Sequence, residues 1–208
     1  MYALVESGNI TRYFNYPKGF TLGDNQYSAD VFTKWTTAER QAIGIYEVTF
    51  DNTNKKDKKW YINTDQTYTY DSVAGTVTAA YGTATAKAHA DTLYTAQDNT
   101  DGLIPAGKSV GDVKVEGLKT KLIKNLKIEV SNNLAKTDWY VTRKSEKSTA
   151  IPSNISTHRD AVRTKQASME TAITNAADTA ALETLYTYVN TGTEADPVYA
   201  RPLGELPE

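Results

Sequence analysis

The sequence predicts an α+β protein, with a small antiparallel β domain followed by a linker and an elongated helical module. Three observations carry this prediction. Apolar and polar residues alternate within residues 1–82, and this is the period of half-buried strands. Apolar residues recur every three or four positions within 112–190, and this is the period of amphipathic helices. Residues 83–111 are rich in Ala, Thr, Asp and Gly, which indicates a linker or an extended arm.

The first predicted elements are two short strands that form a hairpin. Residues 2–5 and 10–14 are β-prone and flank the sequence ESGN. Gly8 and Asn9 in this sequence tolerate the positive φ angles that tight hairpin turns require. A loop with scattered aromatic residues is expected over residues 15–35.

A short helix and further strands complete the predicted β domain. Thr36 and Glu39 have the spacing of a capping box, and Gly44 lies where a helix commonly ends. The alternation in residues 46–50 predicts a half-buried strand. Residues 60–81 contain two β-prone runs and predict a second hairpin.

The helical module is predicted to contain three helices. Leucines and valines at helical spacing mark the first, over residues 112–136. Pro152 and Ser153 open a second long helix, whose apolar seam is close to heptad spacing. Asp178 is expected to cap a third, shorter helix.

The last residues, 191–208, are predicted to form an extended tail. Three prolines are spread through this segment, and they favour extended backbone over helix. Tyr199, Leu203 and Leu206 give the tail apolar side chains. Extended segments of this kind dock into grooves of neighbouring chains, so these three residues are interface candidates.

The composition excludes several classes of chemistry. The chain has no cysteine, which excludes disulfides, thiolate metal sites and cysteine nucleophiles. Its 23 basic and 25 acidic residues give a net charge of −2, and this balance opposes nucleic-acid binding. No long apolar run and no signal-peptide pattern occurs, so we expect synthesis in the cytoplasm and no membrane contact.

One short motif matches a nucleotide-binding pattern. Residues 102–109, GLIPAGKS, fit G-x-x-x-x-G-K-[ST] at Gly102, Gly107, Lys108 and Ser109. A functional loop of this kind leaves a buried strand and opens a helix, whereas the residues before this match are polar. We therefore interpret the match as a Gly/Pro turn, and a phosphate-loop nucleotide-binding protein stays a remote alternative.

The other titratable residues do not form the pattern of an active site. His89 and His158 lack the spacing of metal ligands, and the carboxylates are dispersed. The lysines of residues 55–59 precede Trp60 and Tyr61, as in some single-stranded nucleic-acid sites. A solvated turn that discourages strand pairing is the favoured interpretation. We expect no enzyme activity, catalytic residue, metal or cofactor.

The stretch from residue 137 to residue 165, TDWYVTRKSEKSTAIPSNISTHRDAVRTK, is the most informative part of the chain. The aromatic pair Trp139 and Tyr140 has the pattern of buried residues, ends one helical pattern and is an interface candidate. Arg159 and Arg163 then lie four residues apart on the next helix. Arginine forks onto carboxylates and carbonyls, so this pair is expected to clamp either the crossover between the helices or a neighbouring chain.

This arrangement resembles the C-terminal helical module of small tail-associated proteins of tailed bacteriophages, especially phages of marine bacteria. The first residues, MYALVESGNITRYFNYPKGF, are similar to the beginning of such proteins. The resemblance implies a structural virion protein of the tail, such as a fibre, baseplate or adaptor protein. Its implied partners are other phage structural proteins and copies of itself around a symmetry axis. The alternative is a tail or tail-fibre assembly chaperone that is absent from the mature particle.

Overall fold

Strands and helices segregate along the chain, which confirms the predicted α+β class. The computed structural model describes residues 1–208, and they divide into two compact units. Unit 1 is Met1–Thr85 and contains most of the strands. Unit 2 is Ala86–Glu208 and contains all the long helices.

Unit 1 is built from short strands and one short helix. Its strands are β1 (Tyr2–Glu6), β2 (Asn9–Phe14), β3 (Phe20–Leu22), β4 (Asn25–Tyr27), β5 (Ile45–Asp51), β6 (Tyr61–Ile62), β7 (Gln66–Asp71) and β8 (Thr76–Tyr81). Its helices are a 3₁₀ turn, Ala29–Phe32, and α1 (Thr37–Ala42). A two-residue strand, β9 (Thr85–Ala86), lies at the boundary between the units.

Five strands form the main sheet, in the order β2-β1-β5-β8-β7. The pairs β1–β2, β1–β5 and β7–β8 are antiparallel, as predicted, whereas β5 and β8 are parallel. The predicted hairpin of β7 and β8 therefore docks through β8, which runs in the same direction as β5. Alternating polarity is the same for either pairing direction, so the sequence pattern did not reveal this parallel pair.

Each face of this sheet carries its own apolar cluster. One cluster consists of Leu4, Phe14, Phe20, Val31, Phe32 and Ile45, which pack beneath the loop that precedes α1. The other consists of Ala3, Val5, Val48, Val77 and Ala79. Because each face carries buried apolar side chains, the short strands of unit 1 gain the burial that isolated hairpins lack.

Some local signals in unit 1 are confirmed, whereas residues 15–35, which were predicted to be a loop, contain the β3–β4 hairpin and the 3₁₀ turn. Thr36 and Glu39 form the predicted capping box, in which the Thr36 amide donates to Glu39 Oε2 at 2.7 Å. Ser7 and Gly8 carry the positive φ angles of the first hairpin, with values of 50° and 80°. The prediction for Asn9 was wrong, since Asn9 is already the first residue of β2.

Unit 2 begins with short elements and continues with four helices. Its elements are β10 (Thr92–Leu93), α2 (Ala96–Thr100), β11 (Val113–Val115), α3 (Leu118–Ala135), α4 (Asp138–Lys147), α5 (Ser153–Asn175), α6 (Thr179–Tyr186), β12 (Val189–Asn190) and β13 (Tyr199–Ala200). The segment predicted to be a linker or extended arm, 83–111, is therefore partly folded. A Thr95–Asp98 capping box starts α2, and β10 pairs with β11 beyond the predicted boundary.

The long helices form the core of unit 2. Helix α3 packs against α5 and begins at Leu118, because residues 113–115 form β11. Helix α5 begins at Ser153, as predicted. Asp178 caps α6, since its Oδ1 accepts the Ala181 amide at 2.8 Å. No helix of the chain has the length and apolarity that a bilayer crossing requires.

The C-terminal segment, 191–208, differs from the predicted extended tail. Strands β12 and β13 form a small hairpin, and the residues after it return to the helices of the same chain. Leu203 is 3% exposed, and its amide donates to the Leu185 carbonyl at 3.0 Å. Lys165 Nζ donates to the Leu203 carbonyl at 2.9 Å. Leu203 thus fills a site on its own unit and is not available to a neighbour, and Leu206 is half-buried.

Candidate interaction surfaces

Helix α4 is mostly exposed, and only Tyr140 and Arg143 are half-buried. It has 10 residues and none of them is buried. Trp139 and Val141 are 53% and 43% exposed, and the rings of Trp139 and Tyr140 lie 4.0 Å apart between centroids. The sequence suggested a buried aromatic pair that ends a helix, whereas the pair lies in the first turn of a new helix and neither ring is buried. We call Trp139, Tyr140, Val141 and Arg143 the aromatic helix patch.

Arg143 completes the aromatic helix patch. Its guanidinium lies 4.6 Å from the ring centroid of Trp139 and 5.2 Å from that of Tyr140. These cation–π contacts hold both rings in place on the helix surface. Arg143 Nε is buried without a hydrogen-bond partner. The patch therefore contains two ordered aromatic rings and an arginine whose Nε–H donor is unpaired.

Arg159 clamps the junction between α3 and α4. It is 8% exposed, and its Nη1 donates to the Leu134 carbonyl at 2.8 Å and to Thr137 Oγ1 at 2.7 Å. The same nitrogen lies 2.9 Å from Asp138 Oδ1. The contacts of Arg159 are therefore within its own chain, but they lie at the α3–α4 junction and not in the crossover that was predicted after Tyr140.

Arg163 does not share this role. Its side chain is 51% exposed, and its nearest carboxylate is that of Asp160 at 3.5 Å on the same helix. The two arginines lie four residues apart on α5, yet only the first reaches the α3–α4 junction. Arg163 is thus available to an outside partner, while Arg159 is not.

The C-terminal hairpin, residues 187–200, is the second exposed surface of unit 2. Every residue of this range is exposed, and Tyr188, Val189, Val198 and Tyr199 are between 47% and 65% exposed. The interface candidate Tyr199 lies here, on β13. A two-stranded hairpin is marginal in water without cover, and Tyr188 of this one contacts Glu205 and Arg201 of the same chain.

The nucleotide-binding match forms a turn. The Lys108 amide donates to the Pro105 carbonyl at 3.1 Å, and the Ser109 amide donates to Asp112 Oδ2 at 2.8 Å. Gly102 and Gly107 have φ angles of 66° and 83°. The turn follows α2 and leads into β11, so it lacks the strand-to-helix context of a phosphate-binding loop.

Asp98 anchors this turn-containing region. Its carboxylate forms an ion pair with Lys114 and accepts the Thr95 amide at 2.8 Å. The hydrogen bond from Lys114, followed by those from the backbone and side chain of Thr95, lowers the pKa of Asp98 to about 2. Asp98 thereby links the start of α2 to β11. Its negative charge is compensated by Lys114 and by the hydrogen bond from the Thr95 amide.

The remaining candidates form no chemical site. Trp60 is 3% exposed, with Lys59 Nζ 4.6 Å from its ring centroid, so its ring is not accessible for stacking on a base. His158 Nε2 lies 3.0 Å from Asn133 Oδ1, in the packing between α5 and α3. No cluster of three or more His, Asp or Glu side chains is suited to hold a metal ion.

A groove lined by tyrosines lies in unit 1 and was not predicted. Strands β2 and β7 are the two ends of the sheet order, and the sheet curves until they come into contact. The rings of Tyr13 and Tyr68 meet across this gap, with centroids 4.7 Å apart. Beside them is an opening of about 380 Å³, lined by Gly8, Asn9, Ile10, Tyr13, Tyr68, Thr69 and Tyr70. We call this opening the tyrosine groove.

Hydroxyl groups order the tyrosines of this region. The hydroxyls of Tyr46 and Tyr70 lie 3.0 Å apart, and the Tyr68 hydroxyl donates to Met1 Sδ at 3.9 Å. The hydrogen bond with Tyr70, and then burial, raises the pKa of Tyr46. These tyrosines come from three different strands, β2, β5 and β7, so no short sequence motif predicted the groove. The only signal in the sequence was the high number of tyrosines.

Comparisons with known proteins give no relative: no family model matches the chain, and no curated protein or solved structure is significantly similar to it.

Proposed function

We propose that this chain is a structural component of a bacteriophage virion, associated with the tail, that acts through protein–protein interfaces. The observation that carries the interface role is the exposed helix α4, which has no buried residue among its 10. Isolated helices of this length are marginal in water, because most helical stability in proteins comes from tertiary packing. A partner that covers the aromatic helix patch would supply the missing packing. The phage setting rests on the resemblance carried by residues 137–165.

The proposed partner at this patch is a second copy of the chain. The second half of α4 carries Arg143, Lys144 and Lys147 against Glu146 alone. The C-terminal hairpin carries Glu194 and Asp196 and no basic residue. Both surfaces are exposed and rich in aromatic or β-branched side chains. Opposite charge on two different surfaces favours a head-to-tail contact, and head-to-tail contacts close into rings around a symmetry axis.

Self-association is tested on the full chain by sedimentation velocity over a range of concentrations. We expect Trp139→Ala to weaken association at least about tenfold, as for a central aromatic residue of an interface. The matched control is Tyr16→Ala, since Tyr16 is 65% exposed in unit 1. A chain that stays monomeric at every concentration, or an equal loss in both variants, would refute the self-contact.

A charge exchange tests the proposed pairing of the two surfaces. Reversing Lys144 and Lys147 to glutamate should weaken association, because two acidic surfaces then face each other. Reversing Glu194 and Asp196 to lysine in the same chain should restore it. Weakening without restoration would mean that α4 meets a different surface.

A tail or tail-fibre assembly chaperone is the second candidate, since exposed aromatic surfaces also suit reversible binding of a client protein. Purified particles from the source separate the two. Retention of this chain at a fixed ratio to the major capsid protein, measured by mass spectrometry, supports the virion role. Abundance in the lysate with absence from particles supports the chaperone. Absence from particles and from infected lysates alike would refute both.

A further inference from the structure

We propose that the tyrosine groove of unit 1 binds a neutral saccharide of one or two sugar rings. This site is separate from the aromatic helix patch and from the C-terminal hairpin, and the proposal does not depend on the virion role. It rests on the charge, the chemistry and the shape of the groove.

The groove has no charged lining residue. The side chains that line it are those of Asn9, Ile10, Thr69 and three tyrosines. Phosphate, carboxylate and ammonium ligands are normally held by charged side chains, which are missing from this lining. The uncharged lining therefore favours a ligand without a formal charge.

The groove offers both surfaces that a sugar ring requires. The faces of aromatic rings, such as the 43% exposed Tyr13, pack against the C–H groups of a sugar. The Asn9 amide and the Thr69 hydroxyl are donors and acceptors for its hydroxyl groups. β2 and β7 are the terminal strands of the sheet order, so their outer edges add backbone hydrogen-bonding groups.

The dimensions of the groove favour a small ring over a peptide chain. The contact between Tyr13 and Tyr68 spans the gap between β2 and β7, and both rings line the groove. The volume of about 380 Å³ lies near the lower end of small-molecule sites, whereas an extended peptide needs a longer channel. This volume matches one or two sugar rings.

The test is a titration of the full chain with maltose, cellobiose and lactose, followed by calorimetry and by saturation-transfer NMR. Digalacturonate serves as the charged comparison and decaproline as the peptide comparison. We expect at least one neutral disaccharide to bind with a dissociation constant on the order of 1 mM. We expect Tyr13→Ala to weaken this binding about tenfold, because the stacking face is lost.

Two variants control for the fold and for general tyrosine effects. Tyr13→Phe keeps the ring, so binding should stay within about twofold of the parent chain. Tyr16→Ala removes an exposed tyrosine outside the groove and should leave binding unchanged. The proposal is wrong if none of the three disaccharides binds, or if Tyr13→Ala binds them as well as the parent chain does. It is also wrong if digalacturonate or decaproline binds more tightly than the disaccharides.

Discussion

Replacing Arg159 by methionine tests the clamp at the α3–α4 junction most directly. The substitution keeps an unbranched side chain of similar reach, which fills much of the same volume, and removes the guanidinium. The parent residue is 8% exposed and bonds to the Leu134 carbonyl, Thr137 Oγ1 and the Asp138 carboxylate. All three contacts are lost together, so the effect measures the clamp as a unit.

The magnitude follows from these contacts. Hydrogen bonds to a charged group contribute about 1.5–3 kcal/mol each to the free energy of unfolding. The lower end of this range applies to the two hydrogen bonds of Arg159. In the variant the Leu134 carbonyl keeps a partner, because it also accepts the Thr137 amide at 3.0 Å. The Asp138 side chain is 60% exposed and is solvated when released, so its ion pair adds less than about 1 kcal/mol. The expected loss is about 3 kcal/mol.

Urea unfolding followed by far-UV circular dichroism measures this loss, since the long helices all belong to unit 2. With a slope of about 2 kcal/mol per molar, the midpoint should fall by about 1.5 M. Arg163→Met is the matched control. Arg163 is 51% exposed and pairs only with Asp160, so its loss should cost less than about 0.5 kcal/mol.

The reasoning fails under either of two results. If Arg159→Met unfolds within about 0.5 kcal/mol of the parent chain, the clamp does not contribute to stability. If both arginine variants lose the same free energy, burial and hydrogen bonding do not distinguish the two sites.

Two further predictions concern the tail and the folded region before α3. Leu203→Ala should destabilise unit 2 by about 3 kcal/mol in urea unfolding, because Leu203 is only 3% exposed. The control is Leu103→Ala, at a site that is 57% exposed, and it should change stability by less than about 0.5 kcal/mol. Equal effects would contradict the docked tail. The pKa of Asp98 is about 2 in the folded chain and about 3.9 when unfolded, so the ionised carboxylate stabilises the fold above about pH 4 and loses this effect as the pH falls to about 2. The difference in melting temperature between the parent chain and Asp98→Asn should shrink over that window, and a constant difference would refute the assignment.

The candidate surfaces were only partly predictable from the sequence. Trp139 and Tyr140 were chosen as interface candidates from their place beside a crossover, and the structure places them on an exposed helix. Whether they bind a partner stays a prediction. Leu203 was chosen from its place in the proline-containing C-terminal segment, yet it packs on α5 and α6. Apolar residues in a proline-containing segment have the same pattern whether they bind their own chain or another one.

Elements with local signals could be predicted from residue type and spacing alone. The capping box of Thr36 and Glu39, the helix start at Ser153 and the cap at Asp178 all involve groups within one helical turn. Such hydrogen bonds form among neighbours in the chain, so residue type and spacing suffice to predict them.

Features that join distant residues became apparent only once the elements were seen packed together. The parallel pairing of β5 and β8, the reach of Arg159 to Leu134 and the contact of Tyr13 with Tyr68 all depend on how separate elements are brought together. Local propensity does not encode these pairings. They arise because burial of the two clusters in unit 1 and of the α3–α5 contact in unit 2 selects one arrangement of the elements.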